Sequence, residues 1–103
     1  MAKLSLQPNP TFKAKVGIPV AGDEAAEVEF TFKHRAWADL LVWIEASKDK
    51  TDVEVVQDLA VGWELDDAFT PENIARLCDN YAGANAAIYA KYLRELRGVR
   101  TKN

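Results

Sequence analysis

The stretch Gly62-Trp63-Glu64-Leu65-Asp66-Asp67-Ala68-Phe69-Thr70-Pro71-Glu72-Asn73 constrains the fold more than any other part of the chain. It ends one helical pattern and starts another, with large aromatics in the connection. Thr70 supplies the side-chain oxygen an N-cap needs, and Pro71 suits the first helical position, where its missing N–H would have no partner anyway. Asp66, Asp67 and Glu72 put negative charge near the positive end of the helix dipole. Behind the cap, Ile74, Leu77, Cys78 and Tyr81 recur at helical spacing. A connection carrying Trp63, Leu65 and Phe69 must pack on something, so it reads as a buried crossing between helices, with Trp63 and Phe69 in the core.

The 103 residues suffice for one domain, 1–103, with a single modest core. Nearly half the residues are apolar, which argues against wholesale disorder. The one cysteine, Cys78, cannot build a disulfide framework or a thiolate metal site, and it fits a reducing cytoplasm. No run approaches the ~18 continuous apolar residues of a membrane span, and the N-terminus lacks a signal-peptide core. The net charge of −3 conceals an asymmetry. Residues 36–79 carry three Lys/Arg against eleven Asp/Glu, whereas residues 80–103 carry five against one. Solvated helix faces account for such a pattern, and so do complementary patches on the chain or a partner.

Upstream, the period is two. Phe12, Ala14, Val16, Ile18 and Val20 share one face, and Val28, Phe30, Phe32 and His34 share another. The segment Ala21-Gly22-Asp23-Glu24-Ala25-Ala26 reads as the turn of an antiparallel hairpin, about 11–35. Two registers keep the apolar faces together. One pairs Val20 with Val28 and sets Lys15 opposite Lys33. The other, slid by four, sets Lys15 opposite Glu29 and Phe12 beside Phe32. The weak strand propensity of Glu24-Ala25-Ala26-Glu27 favours the first. In the leading segment, Leu4 and Leu6 alternate with polar residues, but Pro8 and Pro10 stop any strand there.

A lone hairpin needs cover, and a helical part over about 36–97 provides it. The first helix, about Ala36 to Ser47, has Trp37, Leu40, Leu41 and Ile44 on one side. Thr51-Asp52-Val53-Glu54 spells a capping box, and Val56, Leu59, Ala60 and Trp63 follow at helical spacing, with Gly62 at the exit. After the helix capped by Thr70 comes a break near Asn80 to Gly83. A last helix runs from about Ala84 to Arg97, with a frayed tail over 98–103. The expected class is α+β, an N-terminal antiparallel hairpin packed on about four short helices.

The residues offer no catalytic constellation and no cofactor motif. His34, the only histidine, falls in line with a strand's apolar face, and Cys78 has no partner nearby in sequence. Asp49, Asp52 and Glu54 resemble part of a calcium loop but lack its glycine and its later glutamate. The connection between the helices flanking Gly62 to Phe69 is about twice the length a helix-turn-helix allows, and the chain is acidic. Protein binding is the remaining class. Val42 and Trp43 lie off the apolar stripe of the first helix, where they are either covered by the hairpin or exposed for a partner. Tyr89, Leu93 and Leu96 widen that of the last beyond what one core contact needs. These five are the candidate protein-binding residues, and a surplus of this kind also suits homo-oligomerisation.

The whole chain resembles a tail assembly chaperone of a long-tailed bacteriophage or prophage. The resemblance lies in Asn9-Pro10-Thr11-Phe12-Lys13-Ala14-Lys15-Val16 opening a hairpin, and in Trp63-Glu64-Leu65 leading to Phe69-Thr70-Pro71-Glu72-Asn73-Ile74. It continues in Tyr81-Ala82-Gly83-Ala84, then Ala87-Ile88 and Tyr92. It implies a non-enzymatic protein of the host bacterial cytoplasm, absent from the mature virion. Its implied partners are the tape-measure protein, which it keeps soluble, and the tail-tube subunits it helps recruit. Neither a nucleic acid, a membrane nor a cofactor is implied. Two alternatives stay open on the residues alone: a small homo-oligomeric adaptor, and a DNA-binding regulator.

Overall fold

Alternation at period two produces β1 (Thr11–Ile18) and β2 (Ala26–Lys33), which pair antiparallel. The structure, a computed structural model, describes residues 4–98. The expectation for the tail beyond Gly98 therefore lies outside the described residues. Four helices follow the hairpin: α1 (Trp37–Ser47), α2 (Asp52–Leu59), α3 (Pro71–Asn80) and α4 (Ala84–Arg97). A third strand, β3 (Ala60–Trp63), adds to β2 and makes a sheet of order β1-β2-β3. The α+β class with an N-terminal hairpin and four helices is the one expected.

The register is the alternative that propensity disfavoured. Lys15 faces Glu29, Phe12 faces Phe32 and Val16 faces Val28. This register does not draw Glu24 and Ala25 into a strand, because pairing stops at Ile18↔Ala26. The chain turns through Gly22, whose φ of 77° is left-handed, and Asp23 N–H donates to the Val20 carbonyl at 3.1 Å. Phe12 and Phe32 meet at 5.5 Å between ring centroids, a cross-strand aromatic pair that the other register would separate.

The second correction concerns Ala60 to Trp63, expected as helix and found as strand. The capping box forms as predicted: Thr51 Oγ1 accepts from Glu54 N–H, and Glu54 Oε1 accepts from Thr51 N–H. The helix it opens ends at Leu59. Beyond it, Trp63 pairs with Phe30, Gly62 with Thr31, and Ala60 with Phe32. Val61 is left over as a bulge. The bulge puts Ala60 and Trp63 on one face of a strand although they are three residues apart, which is the spacing of a helix.

The core is one cluster: Val16, Ile18, Phe30 and Phe32 from the hairpin, Val55, Val56 and Leu59 from α2, Ile74 from α3, and Ala84, Ile88 and Tyr92 from α4, with Leu40 and Trp43 from α1. Thr70 caps α3 by accepting from Asn73 N–H at 3.2 Å, with Pro71 inside the first turn. Trp63 and Phe69, expected to be fully buried, are half-buried. They meet edge to face at 5.1 Å, and the Trp63 indole N–H donates to the Asp67 carbonyl at 2.7 Å. Both pack on the core from its margin, with Trp63 edge to face with Phe30 at 6.0 Å. His34, expected in line with the apolar face, lies beyond the end of β2 and is exposed, its backbone N–H donating to the Pro10 carbonyl.

Candidate protein-binding surfaces

On α1 the inward stripe is rotated by about 60° from the expected one, taking 100° per residue. Leu40, Trp43 and Ser47 are buried, and Ile44 is half-buried. Trp43, placed by sequence among the candidate protein-binding residues, retains 7% of its surface, so it is core and offers nothing to a partner. It packs against Tyr89 at 5.9 Å and edge-on to Tyr92 at 5.5 Å, and Arg35 stacks on its ring at 4.7 Å. Val42, in contrast, is 70% exposed. Tyr89, Leu93 and Leu96 are half-buried and pack on the core from the margin of α4.

Arg35 organises this region, and no periodicity marks it. One guanidinium N–H donates to Tyr92 Oη at 2.8 Å and another to the Asp58 carbonyl at 3.0 Å. Tyr92 Oη donates in turn to the Lys33 carbonyl at 2.9 Å. Burial pushes the Tyr92 phenol above its ordinary value, although the Arg35 contact opposes that rise. Nearby, Lys50 Nζ meets Asp58 Oδ2 at 2.6 Å. Burial pushes the Asp58 carboxyl up. The hydrogen bond and charge of Lys50, with smaller contributions from Trp43 and Arg35, outweigh burial and hold it below the usual carboxylate value. Trp43 Nε1–H lies on the Asp58 side but outside hydrogen-bond geometry, and it is buried without a partner. Burial raises the Cys78 thiol, and the charge of Asp52 raises it further. Among the described residues, no three His, Cys, Asp or Glu side chains converge as a metal set, and no helix is long and apolar enough to cross a membrane.

Among the described residues, the folded body leaves an apolar helix face and an apolar groove open. The first is the outer side of α1, where Trp37 (59% exposed), Leu41 and Val42 face away from the core. Sequence reasoning assigned Trp37 and Leu41 to the buried stripe. The contrary signal was Ser47, one turn beyond Trp43, whose hydroxyl donates to the Trp43 carbonyl at 2.7 Å and lets the buried stripe run on in that phase. Arg97 from α4 reaches toward the Trp37 ring, 6.0 Å from its centroid. The second surface is a groove of about 380 Å³ between the turn end of the hairpin, the exit of β3 and α3. Ile18, Val28, Trp63, Leu65, Leu77 and Tyr81 supply its apolar lining.

These surfaces suit the binding of apolar protein segments. The chain matches no curated protein and no solved structure. A family model for phage tail assembly chaperones matches residues 1–103, the full length of the sequence. A small chain with two uncovered apolar surfaces and a match along all its length thus belongs to the phage tail assembly chaperone family.

Proposed function

We propose that this chain is a non-enzymatic chaperone that binds the tape-measure protein, keeps it soluble and helps recruit tail-tube subunits around it. It acts in the host bacterial cytoplasm and leaves before the virion is mature. The observation that carries this reading is α1, a helix with large apolar side chains on both sides. Leu40 and Trp43 anchor it to the core, while Trp37, Leu41 and Val42 stay in water. A helix apolar all round is normally covered on all sides, so the outer face of α1 has a partner in the assembly pathway. A tape-measure segment with helical apolar anchors provides matching chemistry. Of the residues singled out by sequence, Val42 belongs to this face. Leu93 and Leu96 border the core on α4, and Trp43 and Tyr89 hold the face in place from behind.

Co-expression with the tape-measure protein tests the reading. Trp37→Ser combined with Val42→Ser changes two exposed residues, so the circular dichroism spectrum and melting temperature should stay close to the parent's. Recovery of soluble tape-measure protein should fall at least tenfold. A folded double variant that keeps the client soluble as well as the parent would rule out this face.

A further inference from the structure

The Leu4–Gln7 arm holds two further apolar side chains in water: Leu4 and Leu6 keep 93% and 97% of their surface exposed. The backbone of the arm makes few demands on a neighbour. Ser5 Oγ donates to the Gln7 carbonyl at 3.1 Å and accepts from Gln7 N–H at 3.2 Å. Pro8 and Pro10 have no N–H to offer. A bend at Pro10 turns the arm off the line of β1. What the arm lacks is cover for its leucines.

The arm and the outer face of α1 spring from one corner of the sheet. There the Pro10 carbonyl accepts from His34 N–H at 2.8 Å, which ties the base of the arm to the segment that enters α1. Leu6 lies four positions before that tie, a span of at most about 14 Å, and Trp37 lies three positions after it, at most about 11 Å. Leu41 follows one helical turn later, about 6 Å along the axis. Leu6 can therefore meet Trp37, and Leu4, two positions farther out, can meet Leu41. A second contact marks the same corner. Pro8 and Asn9 line a hollow with Leu96 of α4, and the next residue, Arg97, stands over the Trp37 ring at 6.0 Å. Closing the arm onto α1 makes a short loop, which costs little chain entropy.

We propose that the arm is a strap: it folds across α1 of its own chain and seats Leu4 and Leu6 on Trp37, Leu41 and Val42. The open arrangement described above leaves five apolar side chains in water at one corner, and the closed one covers them with each other. Its consequence for the client rests on the reading of α1 given under the proposed function. A closed strap occupies the client's seat, so the client binds in proportion to the fraction of chains whose strap is open.

Cysteine trapping in the full chain tests the strap without any client. In a Cys78→Ser background, Gln7→Cys and Ala38→Cys place thiols beside the contact and leave its apolar residues intact. Diamide takes up the two thiol hydrogens as the disulfide forms. At about 1 μM protein, far below the mM effective concentration of tethered groups, the product should be an intrachain disulfide of monomer mass. Adding Leu4→Ser and Leu6→Ser, or instead Trp37→Ser and Leu41→Ser, should slow closure about tenfold with an unchanged circular dichroism spectrum. Gln7→Cys with Ala21→Cys should give no intrachain product, because β1 alone sets Ile18 about 23 Å from Thr11 and Ala21 lies beyond it. A product of twice the monomer mass would assign the arm to another copy. Closure at the same rate with and without the leucines would make the arm a free tail. Either result overturns the proposal. Denatured tape-measure protein diluted into the disulfide-closed chain should aggregate, and diluted into the reduced chain it should stay soluble. A closed chain that still protects the client, with the trapping results as expected, would move the client to another surface and leave the strap standing.

Discussion

The two ends of the sheet are lined by the same kinds of residue and finished differently. At the Thr11 end, Phe12, Phe32, Tyr92, Trp43 and Tyr89 pack in succession, each within 6.3 Å of a neighbouring ring, and Arg35 closes the cluster, its guanidinium over the Trp43 ring and hydrogen-bonded to Tyr92 Oη. At the groove end, Ile18 is buried, while Val28, Trp63 and Leu77 are half-buried and line an open groove. The difference is one of closure, not of composition. Where α4 lies against β1 and Trp43 of α1 packs on Tyr89 and Tyr92, the aromatic side chains are fixed. Beside α3, Trp63 and Leu77 keep part of their surface in water.

The comparison predicts a gradient of mutational cost. Trp43→Ser, at the closed end, removes a buried indole from contact with two tyrosines and an arginine. It should cost ~3–5 kcal/mol, enough to leave the domain largely unfolded in a thermal melt followed by circular dichroism. Trp63→Ala, at the open end, should cost about 2 kcal/mol, because roughly half of the cavity term is absent where the side chain already meets water. Equal melting temperatures for the two variants would erase the distinction drawn between the ends. Thr70→Ala should cost ~1 kcal/mol through the lost cap, whichever end is considered.

The smallest effect expected is that of Asp58. Its folded pKa lies below the unfolded value of about 3.9, so its contribution is present above that pH and is lost as pH falls through the lower folded value. Asp58→Asn should therefore lower stability at neutral pH by no more than about 1 kcal/mol, since the pair with Lys50 is partly exposed. The difference from the parent should close as the pH falls below about 4. A gap that persists at acid pH would mean that the side chain acts by packing and not by charge.

Much of the fold was legible because local chemistry decided it. The cap and proline at Thr70-Pro71, the box at Thr51 to Glu54, and the two period-two runs each name their element from within a few residues. The failures came where distant contacts decide. The helix-like spacing of Ala60 and Trp63 arises from a bulge opposite Thr31 and Phe32, which only the paired strand reveals. The hairpin register followed the Phe12–Phe32 contact and not the propensity of its loop. On α1, the phase depended on the Tyr89 and Tyr92 rings, about fifty residues away in sequence. Of the residues singled out for binding, Val42 is exposed and Trp43 is buried, its cover coming from Arg35 and α4.

The bulge at Val61 also bears on what the sheet refuses to do. An exposed strand edge presents unpaired N–H and C=O groups that recruit further strands, the route by which sheets grow into aggregates. Here that edge is four residues long, and its regular pairing is broken by one unpaired residue. At the opposite edge, β1 turns Lys13 and Lys15 outward from its solvent face, discouraging the close approach of another basic strand. An assembly chaperone meets protein partners able to add as strands. Short, kinked and charged borders leave them side-chain surfaces to bind and no backbone template to copy.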